Sequence, residues 1–279
     1  MTLAVERSDS SCGATIRGVD LSGPLDPELV SQIRSIWLQH KVVAFADQQM
    51  DDDALERFTL AMGGFGEDPF FDPIAGSEHV AAILREADET SGLFAESWHS
   101  DWSFLPKPPA GTCLLAVDIP PVGGDTLFAD QVAAFAVLPE ERKEYLRSLT
   151  AIHSAQRGYA PSGLYGDADE GRSMAIRSDE SANETFEHPL IITHPETGEE
   201  AIFASFSYTV GIKGMSDEEA LAFVLDLQSW QTRDEIVYRH RWEPGMLLMW
   251  DNRSVIHRAT GGYEGYRREL HRTTIAAAA

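Results

Sequence analysis

Beyond residue 110 the sequence breaks into short apolar runs, each closed by a turn, and this punctuation constrains the fold more than any other feature of the chain. Residues 112–118, 125–129, 190–193, 200–205, 246–251 and 268–276 are such runs, bounded by Gly, Pro, Asn or Asp as in Pro195-Glu196-Thr197-Gly198. Many short strands with turn signals between them predict an antiparallel barrel or jelly roll. Ahead of them the spacing predicts helix, strand, helix. Asp26-Pro27-Glu28 supplies an N-cap, a first-turn proline and an acidic first turn, and Leu29, Ile33, Ile36 and Trp37 recur at helical intervals to about His40. Val42-Val43-Ala44-Phe45 reads as a buried strand, and residues 51–62 as a helix with Leu55, Phe58 and Met62 inward.

Between these blocks, residues 63–88 mix aromatics with Pro69, Pro73 and Gly76 and predict a pocket-lining loop. Two helices interrupt the strands. One covers 131–148; the other begins at Ser216, which forms a capping box with Glu219 ahead of Ala220, Phe223, Val224, Leu227 and Trp230. Residues 159–187 are long, polar and rich in Gly, Ser, Asp and Glu, the character of an active-site lid. No internal repeat or linker divides the chain, so residues 1–279 are expected to form one domain, mainly β with flanking helices.

Charge narrows the partners. Asp and Glu number 45 against 22 Lys and Arg, a formal charge of −23. Such a surface repels nucleic-acid phosphates and anionic lipid heads. A small anionic substrate entering this field needs a local cationic anchor, which draws attention to inward-facing arginines. With only Cys12 and Cys113, neither a disulfide framework nor a Cys-rich metal site is available. The N-terminus lacks a basic segment followed by an apolar stretch, and no apolar run approaches the ~20 residues of a membrane span. A cytoplasmic protein is expected, with room for a homo-oligomer, dimer or tetramer.

Three groups of residues carry chemistry. In Trp98-His99-Ser100-Asp101-Trp102 an extended backbone projects His99 and Asp101 to the same side, as two ligands of one metal require. Taken alone, the pair reads equally as a surface histidine beside a solvated aspartate. A third ligand from a distant strand completes a facial triad, and His257 stands after the apolar run 246–250 and the polar turn Asp251-Asn252-Arg253. Two imidazoles and a carboxylate suit Fe(II) with open coordination positions, whereas structural zinc favours thiolates and a closed shell. The last group is Arg268 and Arg272. Arg268 lies eleven residues beyond His257, and the two arginines share strand parity. A guanidinium can grip a carboxylate in bidentate fashion, so one of them can clamp a dicarboxylate whose other end chelates the metal. The bland alternative is a solvated pair on an edge strand.

Taken together these pieces resemble the taurine dioxygenase family, which includes the chlorophenoxyacetate dioxygenases. The resemblance runs through Gly13-Ala14-x-Ile16-x-Gly18-Val19-Asp20-Leu21, Trp98-His99-x-Asp101, Pro108-Pro109-Ala110-Gly111 and Gly123-Gly124-Asp125-Thr126-Leu127. It continues in His188-Pro189-Leu190, His194-Pro195-x-Thr197-Gly198, Trp250-Asp251-Asn252-Arg253 to His257, and Arg268-x-x-x-Arg272. It implies a double-stranded β-helix, a jelly-roll or cupin-like barrel. It also implies Fe(II) on His99, Asp101 and His257, 2-oxoglutarate bound through Thr126 and Arg268, and Arg272 on the acidic group of the prime substrate.

The implied reaction consumes O₂, releases succinate and CO₂, and hydroxylates an aliphatic C–H. The metal-binding carboxylate that related halogenases lack is present here as Asp101. The polar side chains that taurine dioxygenase uses to hold taurine are not matched: residues 65–74 and 95–98 offer Phe70, Phe71 and Ala95 instead. A bulkier or more apolar acid is therefore expected, of sulfonate, sulfate ester, phenoxy acid or amino acid type. Phe71, Trp102, Tyr159 and Phe206 are its candidate walls, with Phe104 and Tyr208. His40, His79, His153, His188, His194, His240 and His271 are read as structural or surface residues. Two other readings stay open, a non-catalytic 2-oxoglutarate-binding protein on the same fold and a zinc-dependent hydrolase.

Overall fold

The computed structural model describes residues 3–277. The chain opens with two short strands, β1 (Ala4–Arg7) and β2 (Ala14–Arg17), before helix α1 (Pro27–His40), strand β3 (Val42–Phe45) and helix α2 (Asp52–Met62). Asp26 and Asp51 cap the two helices by accepting from Glu28 N and Ala54 N, satisfying first-turn amides. Strand β4 (Ala81–Arg85) follows, then β5 (Gly111–Asp118) and β6 (Thr126–Asp130).

Helices α3 (Gln131–Ala136) and α4 (Glu140–Arg147) lead to β7 (Thr150–Ser154) and the short helix α5 (Gln156–Tyr159). Strands β8 (Thr185–Pro189), β9 (Ile191–Thr193), β10 (Glu200–Ile202) and β11 (Thr209–Ile212) precede α6 (Asp217–Gln231), whose Ser216–Glu219 capping box is formed in full. The chain finishes with β12 (Val237–His240), β13 (Leu247–Asp251), β14 (Val255–Ala259) and β15 (Arg268–Ile275). The result is mainly β with flanking helices. No helix among the described residues is long and apolar enough to cross a membrane.

Seven strands form the main sheet in the order β1-β2-β3-β13-β5-β15-β4; β12-β6-β14 form a smaller one, and the main sheet ends at β1 and β4 without closing on itself. Strand alternation sorts the side chains of the main sheet. Cys113, Leu115, Leu247, Met249 and Ile275 pack with Ile33, Trp37, Leu55 and Phe58 of α1 and α2. Leu114, Ala116, Leu248, Trp250 and Leu270 take the opposite face and meet Phe128 of β6. The gap between the sheets is therefore walled by β5, β13 and β15 on one side and β6 and β14 on the other. Lys41, at the C-terminal end of α1, binds these layers: its Nζ lies 2.8 Å from Asp130 Oδ2, while Asp130 Oδ1 caps α3.

The structure corrects two expectations. The expected loop 63–88 contains β4, which pairs with β15 over Arg268↔Arg85 to Arg272↔Ala81. A strand whose partner lies nearly two hundred residues away leaves little local signal. The expected helix 131–148 is two helices, broken at Val137 to Pro139; Pro139 has no N–H to donate and disfavours helical backbone before it. Residues 159–187 are less polar in place than in sequence. Tyr159 and Met174 are buried, and two backbone bonds, Asp72 N to Ala175 O and Arg177 N to Phe70 O, stitch this stretch to the aromatic loop.

Candidate metal and co-substrate site

The segment carrying His99 meets β14 through two backbone hydrogen bonds, His99 N to His257 O at 3.0 Å and His257 N to His99 O at 2.7 Å. This exchange sets the two imidazoles side by side, ring centroids 4.2 Å apart. His99 Nδ1 donates to Ser97 O at 2.8 Å, because a carbonyl can only accept, and this leaves the Nε2 lone pair free. That Nε2 lies 3.6 Å from Asp101 Oδ1, and His257 Nε2 lies 3.8 Å from the same oxygen. Burial, with His99 and Arg272 nearby, pushes His257 down to about 3, so its ring is a neutral donor at physiological pH.

Burial opposes charge on Asp101, but the guanidinium of Arg272 and the two imidazoles together outweigh it and hold the carboxyl below the usual carboxylate range. The three ligand atoms lie within 4.8 Å of one another, and the three residues are the one group of His, Cys, Asp or Glu so arranged among the described residues. Two imidazoles and a carboxylate on one side of a buried gap are the donor set that Fe(II) prefers. Both cysteines are buried and stand apart from it.

Asp101 is aimed by a relay that sequence reasoning missed. Its Oδ2 accepts from Thr112 Oγ1 at 2.6 Å, Thr112 Oγ1 accepts from Asn252 Nδ2 at 3.0 Å, and Asn252 Oδ1 accepts from Trp250 Nε1 at 2.9 Å. Oδ1 is thereby left for the imidazoles. Thr112→Val removes the bond to Asp101 with little change in volume and should weaken Mn(II) or Fe(II) affinity by about 10–100-fold, as measured by metal titration. Unchanged affinity would show that the carboxylate needs no support.

Thr126 opens β6 and Arg268 opens β15, and both face the same cleft. Trp242 Nε1 donates to Thr126 Oγ1 at 3.0 Å, which leaves the hydroxyl proton to point elsewhere. Arg268 is buried, gives Nη2 to Gly124 O at 3.1 Å, leaves Nε unpaired, and forms no ion pair among the described residues. Burial lowers its pKa. A buried guanidinium without a counter-ion is costly unless an anion joins it. Space for it depends on Gly124, at φ +70°, where an added Cβ would sit 3.0 Å from Arg268 Nε.

Arg272 is differently placed. It is buried, with Nη1 3.8 Å from Asp68 Oδ2 and Nη2 3.8 Å from Asp101 Oδ1. The rings of Trp102 and Phe71 lie 4.5 and 5.3 Å from its guanidinium carbon. Its Nε and Nη2 make no hydrogen bond. Asp68 is pushed up to about 6 by burial, against the pull of Arg272.

The candidate substrate residues therefore separate. Arg272 lines a cleft of about 690 Å³, partly open to solvent, together with His99, Asp101, Thr126, His257 and Arg268. Tyr159 and Phe206 line a second cleft of about 620 Å³ that shares Phe94, Ala95 and His99 with the first. Phe71 and Trp102 line neither of these clefts and pack around Arg272 instead. Thr112, Asn252, Asp68 and Tyr263 belong to this neighbourhood and were not singled out beforehand. Asn252 at least sits inside the motif that led to His257; the others have no local signature. Ala95 and Trp102 bracket the motif with left-handed backbone, φ 57° and 50°, a conformation that costs a non-glycine residue energy and recurs at functional sites.

Of the seven histidines set apart from the metal, His194 and His271 have carboxylate partners, Asp251 and Asp52 being brought to them by the fold and Glu269 lying two residues from His271. His194 Nε2 lies 3.0 Å from buried Asp251 Oδ2, and His271 contacts Asp52 and Glu269. His271 sits opposite in parity to Arg268 and Arg272 on β15, whose two arginines are the more buried.

Comparison with known proteins gives a consistent picture. Residues 4–274 match the family described as taurine catabolism dioxygenase TauD, TfdA family. An alpha-ketoglutarate-dependent sulfate ester dioxygenase of Pseudomonas putida is 35% identical over 267 residues, covering 95% of this chain and 86% of that protein. An alpha-ketoglutarate-dependent 2,4-dichlorophenoxyacetate dioxygenase of Cupriavidus pinatubonensis is 32% identical over 276 residues, covering 94% and 93%. The crystal structure of a taurine dioxygenase from Burkholderia xenovorans superimposes with a TM-score of 0.81 at 28% identity, covering 99% of this chain and 91% of that one.

Proposed function

This chain belongs to the TauD, TfdA family of dioxygenases, and from that premise we propose that it hydroxylates an aliphatic C–H of a small organic anion, with iron among His99, Asp101 and His257. The chain is a 2-oxoglutarate-dependent non-haem iron dioxygenase that uses Fe(II), 2-oxoglutarate and O₂. Its substrate class, on this reading, is that named for its relatives, sulfate esters and phenoxy acids, together with sulfonates and amino acid-type acids. The fold is read as the family's double-stranded β-helix, one domain along the chain, with residues 159–187 as the lid.

Bound iron supplies the redox chemistry that couples decarboxylation of 2-oxoglutarate, with O₂, to oxidation of the substrate C–H. The protein's residues do the rest. His99 and His257 would each offer the metal an imidazole nitrogen, and Thr112 turns Asp101 so that one oxygen remains for it. Arg268 provides an unpaired buried cation, and Thr126 a hydroxyl proton, for the distal carboxylate of 2-oxoglutarate. Arg272 turns two unpaired N–H groups toward the acidic group of the prime substrate, with Phe71 and Trp102 keeping water from its faces. The apolar walls Leu84, Phe94 and Met174 exclude solvent from the carbon to be oxidised.

The observation that carries this reading is the pairing, in one cleft, of the compact His–Asp–His group with a buried arginine that has no counter-ion among the described residues. The test is succinate release with Fe(II), 2-oxoglutarate, ascorbate and O₂ across sulfate esters, sulfonates, phenoxy acids and amino acids. One class should stimulate it well above the substrate-free rate. No succinate under any condition would overturn oxidation in favour of a binding protein or a hydrolase.

A further inference from the structure

Of the arginines that line the two clefts, Arg85, Arg172 and Arg272 have carboxylate partners, while Arg268 and Arg157 form no ion pair among the described residues. In a chain with 45 acidic side chains and 22 basic ones, an arginine facing a cavity without an acid is conspicuous. Arg157 stands on α5 at the wall of the second cleft. Its Nη1 donates to Phe206 O and, at 2.9 Å, to Thr209 O, and the guanidinium lies 5.0 Å from the Phe206 ring. These contacts hold the 206–209 turn with one nitrogen. Nε and Nη2 make no hydrogen bond within the protein among the described residues.

Two other polar groups of this cleft already have protein partners. Tyr165 OH accepts from Ala95 N at 3.1 Å, and Ser207 Oγ donates to Trp98 O at 3.0 Å. Tyr159, Phe206 and Tyr208 supply aromatic wall, and the cleft reaches His99. A substrate with its reacting carbon beside His99 can thus extend one end toward Arg272 in the first cleft and the other toward Arg157 in the second. We propose that the second cleft is an anion-reading subsite, in which Arg157 pairs with an acidic group at the end of the prime substrate remote from Arg272. The favoured substrates are then small organic diacids, such as a sulfate ester or aryloxy acid bearing a further carboxylate. This rests on the metal-centre reading given above and deepens its substrate class. Partial burial, aromatic walls and the lack of a competing acid make the pairing stronger than at an open surface.

Two sulfate esters of equal length, one ending in methyl and one in carboxylate, test the subsite. The readouts are the KM and kcat of succinate release, and calorimetric binding to Mn(II)- and 2-oxoglutarate-loaded protein without O₂. The native protein should favour the carboxylate ester by about tenfold in KM and Kd, with similar kcat. Arg157→Gln should bring that ratio to about one, and Arg157→Lys should keep most of it. A structural role in holding the 206–209 turn would instead shift both esters together and leave the ratio intact. No preference in the native protein, or a preference that survives Arg157→Gln, overturns the subsite, as does failure of both esters to bind. An absence of all 2-oxoglutarate turnover strikes the metal-centre reading itself, a separate failure read without either ester.

Discussion

Arg268→Ala is expected to weaken 2-oxoglutarate binding by about 2–5 kcal/mol, the loss found when one partner of a desolvated charge pair is removed. At ordinary temperature that is roughly thirty-fold to several thousand-fold in Kd. The reason lies in the state of the guanidinium before the ligand arrives. It is buried between Trp242 and Tyr263, bonded to Gly124 O by one nitrogen, and matched by no carboxylate among the described residues. An anion that fills this position relieves a desolvation cost the protein already carries.

The same argument predicts a second readout with the opposite sign. Without ligand, the alanine variant should melt no lower than the native protein, because an unpaired buried charge has been removed. The upward shift in melting temperature that 2-oxoglutarate induces by mass action should vanish in the variant. Calorimetry of the Mn(II)-loaded protein and a melting series with increasing 2-oxoglutarate check both. A Kd within threefold of native would show that Arg268 is not the clamp.

His257→Ala should abolish stoichiometric Fe(II) binding and reduce succinate release to background, a larger loss than the about 10–100-fold expected for a supporting hydrogen bond such as that from Thr112. The fold should survive. β14 is held by its backbone pairing with β6, from Val255↔Asp130 to Ala259↔Thr126, by the main-chain exchange with His99, and by the buried side chains of Val255 and Ile256. None of these needs the imidazole. Anaerobic addition of 2-oxoglutarate to the Fe(II) protein should give a weak visible charge-transfer band in the native enzyme and none in the variant. A band of native strength in the variant would show that His257 is not a ligand.

Much of the site could be read from sequence because its geometry follows strand parity. Arg268 and Arg272 share a face of β15 by counting in twos, and His271 between them leaves that face, as alternation requires. The capping box of α6 and the Asp26 cap of α1 were equally visible, since a helix end is satisfied by residues within one turn. What escaped depends on partners far apart in the chain.

Strand β4 is defined by β15, and Thr112 acquires its role only when β5 brings it beneath Asp101. The aromatic loop was expected to have exchanged polar anchors for apolar walls, yet it also delivers Asp68 to Arg272. No periodicity announces an acid that turns inward beside an arginine more than two hundred residues later. Phe71 and Trp102 were expected as walls of the substrate pocket, but which wall of a cavity an aromatic ring joins is decided by packing. Their rings lie on the guanidinium rather than along either cleft.

The reciprocal bonds between the main chains of His99 and His257 separate two jobs that are often combined in one residue. The distance between the two positions is held by amides and carbonyls, which every amino acid except proline supplies. The spacing of the two positions therefore does not rest on their side chains. The frame can accept other donors at either position without being redrawn, so a different metal or a different number of protein ligands is within reach of one or two substitutions.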